Sequence, residues 1–115
     1  MQLLIAVINQ EEKLEEVLAG FLELGVTGAT VVASEGMGRL LRDEVPIFAA
    51  LEAIGGDRSR PRNQTLFSVI DDDEKVERAV ALLTEVCDFG RPGRGIVFTV
   101  PVNRAVGLSR EIGDG

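Results

Sequence analysis

The chain contains no histidine, which removes the commonest general base and the usual ligand of zinc sites. Ser-His-Asp and Cys-His catalysis are excluded with it. Tryptophan and tyrosine are also absent, so no aromatic platform is available for stacking nucleic-acid bases, and the net charge of −7 repels a phosphate backbone. We expect a protein that is not an enzyme, holds no metal and binds no nucleic acid.

Cysteine is scarce and long apolar runs are missing. The single cysteine, Cys87, forms no internal disulfide, and its position near the end of an apolar helix face predicts a small buried side chain rather than a nucleophile. The N-terminal run MQLLIAVIN lacks the basic start and the cleavage site of a signal peptide. These absences predict a cytoplasmic protein with no direct membrane insertion.

What is present is typical of a globular domain. Of the 115 residues, 45% are apolar and 27% are charged, so the chain can bury a core without disulfides or a structural metal. We therefore expect one domain over residues 1–115.

The hydropathy pattern switches between strand-like and helix-like stretches. It predicts a strand over residues 3–8, a helix from Glu11 that ends at Gly25, strands over 28–35 and 64–71, a helix after the acidic run 71–74, and a last strand over IVFTVPV. The order β-α-β-β-α-β predicts an α+β, ferredoxin-like sandwich in which two helices cover one face of a four-stranded antiparallel sheet. The other apolar face needs a partner, so we expect self-association.

The connection over residues 37–63 is unusually long for so small a domain, which indicates a functional or mobile segment. Its first half, VPIFAALEAIGG, has helix-compatible spacing, and its second half, DRSRPRN, is rich in arginine. Two interpretations stay open. The segment is either a small helix packed on its own or a neighbouring subunit, or a helix that docks in a partner's groove.

Two stretches carry a resemblance to a known family. ELGVTGATVVASEGMGR, residues 23–39, resembles the second-strand region of the nitrogen-regulatory P-II signalling proteins. RPGRGIVFTVPVNRAVGL, residues 91–108, resembles that family's glycine-rich B-loop, here residues 91–95, and the strand after it. The resemblance covers most of the chain outside the long connection.

The resemblance implies a homotrimer whose sheets face inward and whose intersubunit clefts bind adenine nucleotides. It also implies that the long connection is the T-loop, which signals the ligand state by docking on a membrane transporter, channel or enzyme. The positions expected to dock are Val45, Ile47, Phe48, Leu51, Arg58 and Arg60.

The same resemblance assigns ligand-binding positions. Glycine lets backbone N–H groups approach an anion, arginine offers a fork to phosphate, Thr30 can bond a base or ribose, and two apolar side chains could sandwich a purine. Glycines 36 and 38 would also form the hinge of the T-loop. The positions are Ile8, Thr30, Gly36, Met37, Gly38, Arg39, Gly93, Arg94 and Gly95, with Ile8 and Met37 as the sandwich.

Several positions depart from the family pattern. Ile96 replaces a lysine, Gly107 and Ser109 replace arginines, and Leu40 replaces a glutamine. Each lost charge-assisted contact removes about 1.5–3 kcal/mol, unless nearby arginines compensate. We therefore expect no 2-oxoglutarate sensing and a less charged effector than ATP, such as AMP, ADP or a cyclic dinucleotide, or no nucleotide. Without tyrosine there is no uridylylation.

Simpler alternatives accompany these hypotheses. The glycines alone indicate only tight turns, and the acidic run 71–74 is more typical of a helix cap than of a metal site. A trimeric structural adaptor with a degenerate cleft would share the fold. An acylphosphatase-like enzyme would need an arginine-bearing loop after the first strand, where this chain has NQEEKL.

Overall fold

A computed structural model describes residues 1–41, 44, 46–47 and 63–108 of the chain. Strand β1 spans Gln2–Ile8, a 3₁₀ turn covers Glu11–Lys13 and helix α1 spans Leu14–Glu23. Strand β2 follows at Thr30–Ser34, short helix α2 at Met37–Leu41, strand β3 at Asn63–Ile70, helix α3 at Asp73–Cys87 and strand β4 at Gly95–Pro101. The predicted strands and the two long helices are confirmed, whereas α2 lies where the sequence indicated irregular chain.

The four strands form one antiparallel sheet in the order β2-β3-β1-β4. β1 is a central strand, and its last residue, Ile8, pairs with Gln64 of β3 on one side and Gly95 of β4 on the other. Helices α1 and α3 pack on one face of the sheet. This is the ferredoxin-like α+β sandwich that the order of elements predicts.

Alternate residues of the sheet point into a core that the two long helices share. Leu4 and Ala6 of β1 and Leu66 and Ile70 of β3 are completely buried. The residues between them point to the opposite face, because successive side chains alternate along a strand. The helices contribute Val17, Phe21, Val76, Ala79, Leu83 and Cys87.

In each long helix, one end is marked by a residue that stops or caps the helix. Gly25 follows α1 with a φ of 88°, and the Val26 N–H donates to the Phe21 carbonyl at 2.8 Å, a bond of the Schellman type. At the start of α3, the Asp72 carboxylate accepts a hydrogen bond from the Glu74 N–H at 2.9 Å. The glycine stop and the acidic cap predicted from the sequence are therefore confirmed.

The sheet face turned away from α1 and α3 is apolar and open in the single subunit. Phe67 and Phe98 lie on either side of Ile5 in the strand register, and they are 37% and 43% exposed. Val32 and Ile96 are exposed on the same face. A contiguous apolar surface of this kind is typical of an interface.

The predicted partner-docking positions lie mostly outside the described residues. These are Val45, Phe48, Leu51, Arg58 and Arg60. Ile47 is described; it has helical conformation and is exposed. The role of the segment stays a prediction.

Candidate functional site

One end of the sheet carries the glycine-rich segments that the sequence nominates for ligand binding. β2 ends there at Ser34, and β1 ends there at Ile8, opposite Gly95 of β4. Segment 36–39 leaves this end after β2, and the B-loop enters it before β4. Because β3 and β1 lie between them, the two segments start about 14 Å apart, at about 4.8 Å per strand. Both segments therefore lie at the same end of the sheet, with two strands between them.

Helix α2 begins directly at the first of these segments. Gly36 precedes the helix and accepts a hydrogen bond from the Leu40 N–H at 3.2 Å. Met37 opens the helix with 67% of its surface exposed, and Gly38 is half-buried within it. The predicted hinge is thus the start of a helical turn. The Arg39 side chain lies outside the described part of the structure, and its anion-binding role stays a prediction.

Polar contacts between β2 and β3 hold the base of the long connection. The hydroxyl groups of Ser34 and Thr65 hydrogen-bond at 2.6 Å. The Asn63 side-chain nitrogen lies near Gly36: a Cβ atom at position 36 would be 3.3 Å from this nitrogen. These contacts position the two points at which the connection leaves and rejoins the sheet.

The end of α3 and the start of β4 set the shape of the B-loop. Asp88 follows α3 with a φ of 57°, and its carboxylate pairs with the Arg91 guanidinium at 3.2 Å. Gly95 has a φ of 125°, and a Cβ there would lie 2.1 Å from the Val7 carbonyl oxygen. Only glycine fits that close approach. The packing of β4 on β1 therefore requires Gly95 whether or not a ligand binds.

The middle of the B-loop is more open. Gly93 is exposed with a φ of 80°, and a Cβ at this position would meet no atom within 4 Å. Arg94, which follows it, is half-buried. These two residues offer backbone N–H groups and one guanidinium at the sheet end, which is a chemically plausible anion contact.

A cavity of about 400 Å³ lies at the other end of the sheet. Its lining contains no ionisable side chain: the polar groups are hydroxyls and backbone, and the rest is apolar. The buried Ser68 hydroxyl donates to the Gly28 carbonyl at 2.6 Å and so fixes the lead-in to β2. The lining residues are Thr27, Gly28, Ala29 and Thr30 before and in β2, Phe67 and Val69 of β3, Leu3 and Val26, and Gly107 and Leu108 after β4.

Comparison with known proteins identifies the family to which these segments belong. A sequence model of the family described as nitrogen regulatory protein P-II matches residues 1–111. The chain belongs to the P-II family. It is 28% identical to a curated relative, the nitrogen regulatory protein P-II of Azospirillum brasilense, over 102 residues that cover 89% of this chain and 87% of the relative. The resemblance inferred from the two glycine-containing stretches is confirmed.

In this P-II family member the predicted ligand contacts fall into two groups. Thr30 lies in the cavity at the start of β2 and pairs with Phe67. Segment 36–39 begins beyond Ser34, which is four residues further along β2 than Thr30 and about 13 Å from it at the rise of an extended strand. The B-loop lies at the same end of the sheet as this segment. The structure therefore does not bring Thr30 and the glycine segments together within one subunit.

The side-chain role predicted for Ile8 is wrong. Ile8 points into the core between the sheet and the helices and has no exposed surface. A side chain buried within its own subunit cannot sandwich a bound purine. The error arose because Ile8 and its neighbour Val7 point to opposite faces of β1, and an unbroken apolar run does not reveal which face each residue takes.

The positions at which this P-II chain departs from the family pattern are mostly on the surface. Ile96 is 55% exposed on the open sheet face, and Leu40 is exposed in α2. Gly107 lines the uncharged cavity, and Arg104 is exposed in the segment before it. Ser109 and Arg110 lie outside the described residues.

Residue-based reasoning missed most of the cavity. Of its lining, only Thr30 was nominated, although Thr27 and Gly28 belong to the quoted VTGAT motif that carries the resemblance. That motif was the available signal. Gly107 carried a signal only as a position where the family has an arginine, and Leu108 carried none, because both reach the cavity through the path that the chain takes after β4.

The two aspartates at the start of α3 and the cysteine have structural roles. Asp72 caps α3, Gln2 donates to the Asp73 carboxylate at 2.9 Å, and the described residues contain no cluster of three or more metal-ligating side chains. Burial raises the pKa of the Cys87 thiol to about 11, so the thiol is protonated and unreactive at neutral pH. Throughout the described ranges, the helices are too short or too polar to cross a bilayer.

Proposed function

We propose that this P-II family member is a non-catalytic regulator that binds an adenine nucleotide in clefts between the subunits of a homotrimer. In this proposal the long connection after α2 transmits the ligand state to a membrane transporter or an enzyme. The observation that carries the proposal is the split of the site: an uncharged cavity lies at one end of the sheet and the glycine segments lie at the other.

The two half-sites have complementary chemistry. The cavity offers the hydroxyls of Thr27 and Thr30 beside apolar walls, which suits the neutral base and ribose of a nucleotide. The other end offers Gly93 and Arg94, which suit a phosphate. A neighbouring subunit that presents its glycine segments to this cavity would complete a nucleotide site, whereas neither half is complete in one subunit.

The open sheet face supports the homotrimer. Phe67, Phe98 and Ile5 form an apolar strip across β3, β1 and β4. Burying each exposed square ångström of this strip stabilises the assembly by about 25 cal/mol. In the proposed trimer the cavity of one copy would lie near the glycine segments of another, as the split site requires.

The departures from the family pattern support an effector with few charges. The exposed Ile96 stands where the family has a lysine, and Gly107 in the cavity stands where it has an arginine. Losing such contacts weakens a triphosphate more than a monophosphate, because more charge is left without a partner. AMP, ADP or a cyclic dinucleotide is therefore the proposed ligand class.

The experiment combines light scattering with calorimetry against AMP, ADP, ATP and cyclic di-AMP. We expect a trimer that binds at least one of the first two more tightly than ATP. Thr30→Val should weaken that binding, while Thr84→Val, on the exposed side of α3, should not. A trimer that binds none of the four would instead favour the structural adaptor, and a monomer would contradict both.

A further inference from the structure

A side chain just beyond β1 holds the middle of the B-loop. The side-chain amide of Asn9 donates a hydrogen bond to the Gly93 carbonyl oxygen, 84 residues away in sequence. Asn9 is half-buried and follows Ile8, which pairs with Gly95 at the start of β4. The contact therefore joins the end of a central strand to the open part of the loop.

This hydrogen bond determines the orientation of one peptide group. The peptide between Gly93 and Arg94 is trans, so its carbonyl and its N–H point in opposite directions. With the Gly93 carbonyl directed to Asn9, the Arg94 N–H is directed away from Asn9. This peptide rotates through ψ of Gly93 and φ of Arg94, and glycine at position 93 accepts a wider range of ψ than other residues, so the carbonyl could turn toward the subsite if nothing held it.

Within the part of the chain that the structure describes, further contacts hold the two ends of the loop. Near α3, the Arg91 N–H donates to the Asp88 carbonyl at 3.1 Å, and the two side chains form an ion pair. Near β4, Gly95 lies in the strand pairing with Ile8. Between these ends, Asn9 supplies the contact that reaches Gly93.

We propose that Asn9 is a positioning residue that keeps the Gly93 carbonyl turned away from the anion subsite, so that the loop presents the Arg94 N–H and guanidinium to a phosphate. This inference rests on the proposed nucleotide site. A loop ordered before the ligand arrives avoids the entropy loss of ordering on binding. A loop free to rotate at Gly93 would also expose a carbonyl oxygen, which repels a phosphate.

The first test is made without ligand, by backbone ¹⁵N relaxation. We expect Gly93 and Arg94 to have order parameters of about 0.85 in the unmodified protein and below about 0.6 in Asn9→Ala. Asn9→Gln keeps the donor and should restore most of the order. Gln2→Ala is the matched control, because Gln2 also donates from β1 to a distant acceptor, Asp73. Unchanged order in Asn9→Ala, or equal loosening in Gln2→Ala, overturns the inference.

The second test is calorimetric titration with ADP. We expect Asn9→Ala to bind ADP about three- to tenfold more weakly, the range that loss of one neutral hydrogen bond produces, with the oligomeric mass unchanged. Asn9→Gln should bind within about twofold of the unmodified protein. Equal weakening by both variants would contradict a donor role. If the unmodified protein binds no ADP, the same comparison is made with AMP; if it binds neither, the proposed function fails, and the relaxation result still decides whether Asn9 orders the loop.

Discussion

At the scale of single residues, burial accounts for the chemistry of the one thiol. Cys87 is fully buried at the end of α3, where the Gln10 side chain donates to its carbonyl oxygen at 2.8 Å. Desolvation is the largest cause that raises the thiol pKa, from 9.0 to about 11. Cys87 thus contributes as a packed apolar group and not as a nucleophile.

The raised pKa predicts a pH-dependent stability. The unfolded chain loses the thiol proton near pH 9 and the folded chain near pH 11. The contribution of Cys87 is therefore complete below pH 9 and is lost as the pH rises through this window, by up to about 3 kcal/mol. Urea unfolding at fixed protein concentration should show this decline, and Cys87→Ala should show a smaller one. An equal decline in both proteins would contradict the assignment.

Residue identity predicted some local features and not others. Gly25 as a helix stop and Asp72 as a cap depend on near neighbours, so the sequence sufficed for both. The need for glycine at Gly95 comes from the Val7 carbonyl on another strand. The burial of Ile8 depends on which sheet face the helices cover. Such features follow from tertiary packing, which a local pattern does not contain.

At the scale of elements, the start of α3 is the clearest local determinant of structure. The Asp72 side chain satisfies the Glu74 N–H, one of the donors that a helix leaves unpaired in its first turn. Glu74 in turn pairs with Arg78 across one turn at 2.6 Å, but both are exposed and that pair adds little. The cap is therefore the stronger contribution.

Removing the cap provides a quantitative check. Asp72→Ala should lower the free energy of unfolding by about 1 kcal/mol, because one helical N–H loses its acceptor. Asp71→Ala is the matched control, since it removes the same charge one residue earlier, and its effect should be within about 0.5 kcal/mol of zero. Chemical denaturation monitored by circular dichroism measures both. A control as destabilised as Asp72→Ala would attribute the effect to charge and not to capping.

Elements with a long periodic pattern could be predicted, and short ones could not. α1 and α3 present repeated apolar positions to the core. α2 has only five residues, Met37–Leu41, which is too few to establish a period. A helix this short is not stable by itself in water and depends on its surroundings.

At the scale of the whole molecule, the open sheet face is the surface on which the proposed assembly would form. Its apolar strip includes Phe67 and Phe98, and the acidic helices lie on the opposite side of the subunit. The sequence predicted this asymmetry because the ferredoxin-like order leaves one sheet face without helices. The cavity could not be predicted in the same way, because the chain after β4 helps to form it.

A charge on the open face should prevent assembly. We expect Phe67→Asp to convert the trimer to subunits of 12.4 kDa, because an unpaired carboxylate would be buried at the interface. Leu22→Asp is the matched control: Leu22 is a large apolar residue that is 57% exposed on α1, on the other side of the subunit. Light scattering should find the control still trimeric. Dissociation of the control, or a trimer of Phe67→Asp, would contradict the assigned interface.

The most direct test of the split nucleotide site is complementation between two inactive variants. Gly28→Leu should fill the cavity, where a Cβ meets no atom within 4 Å, and Arg94→Ala should remove the phosphate contact of the B-loop. Each variant alone should bind AMP and ADP poorly. Trimers formed from an equal mixture should recover roughly a quarter of the sites, because each intact site then takes its cavity from one variant and its loop from the other. Calorimetry that finds no recovery in mixed trimers would contradict a site shared between subunits.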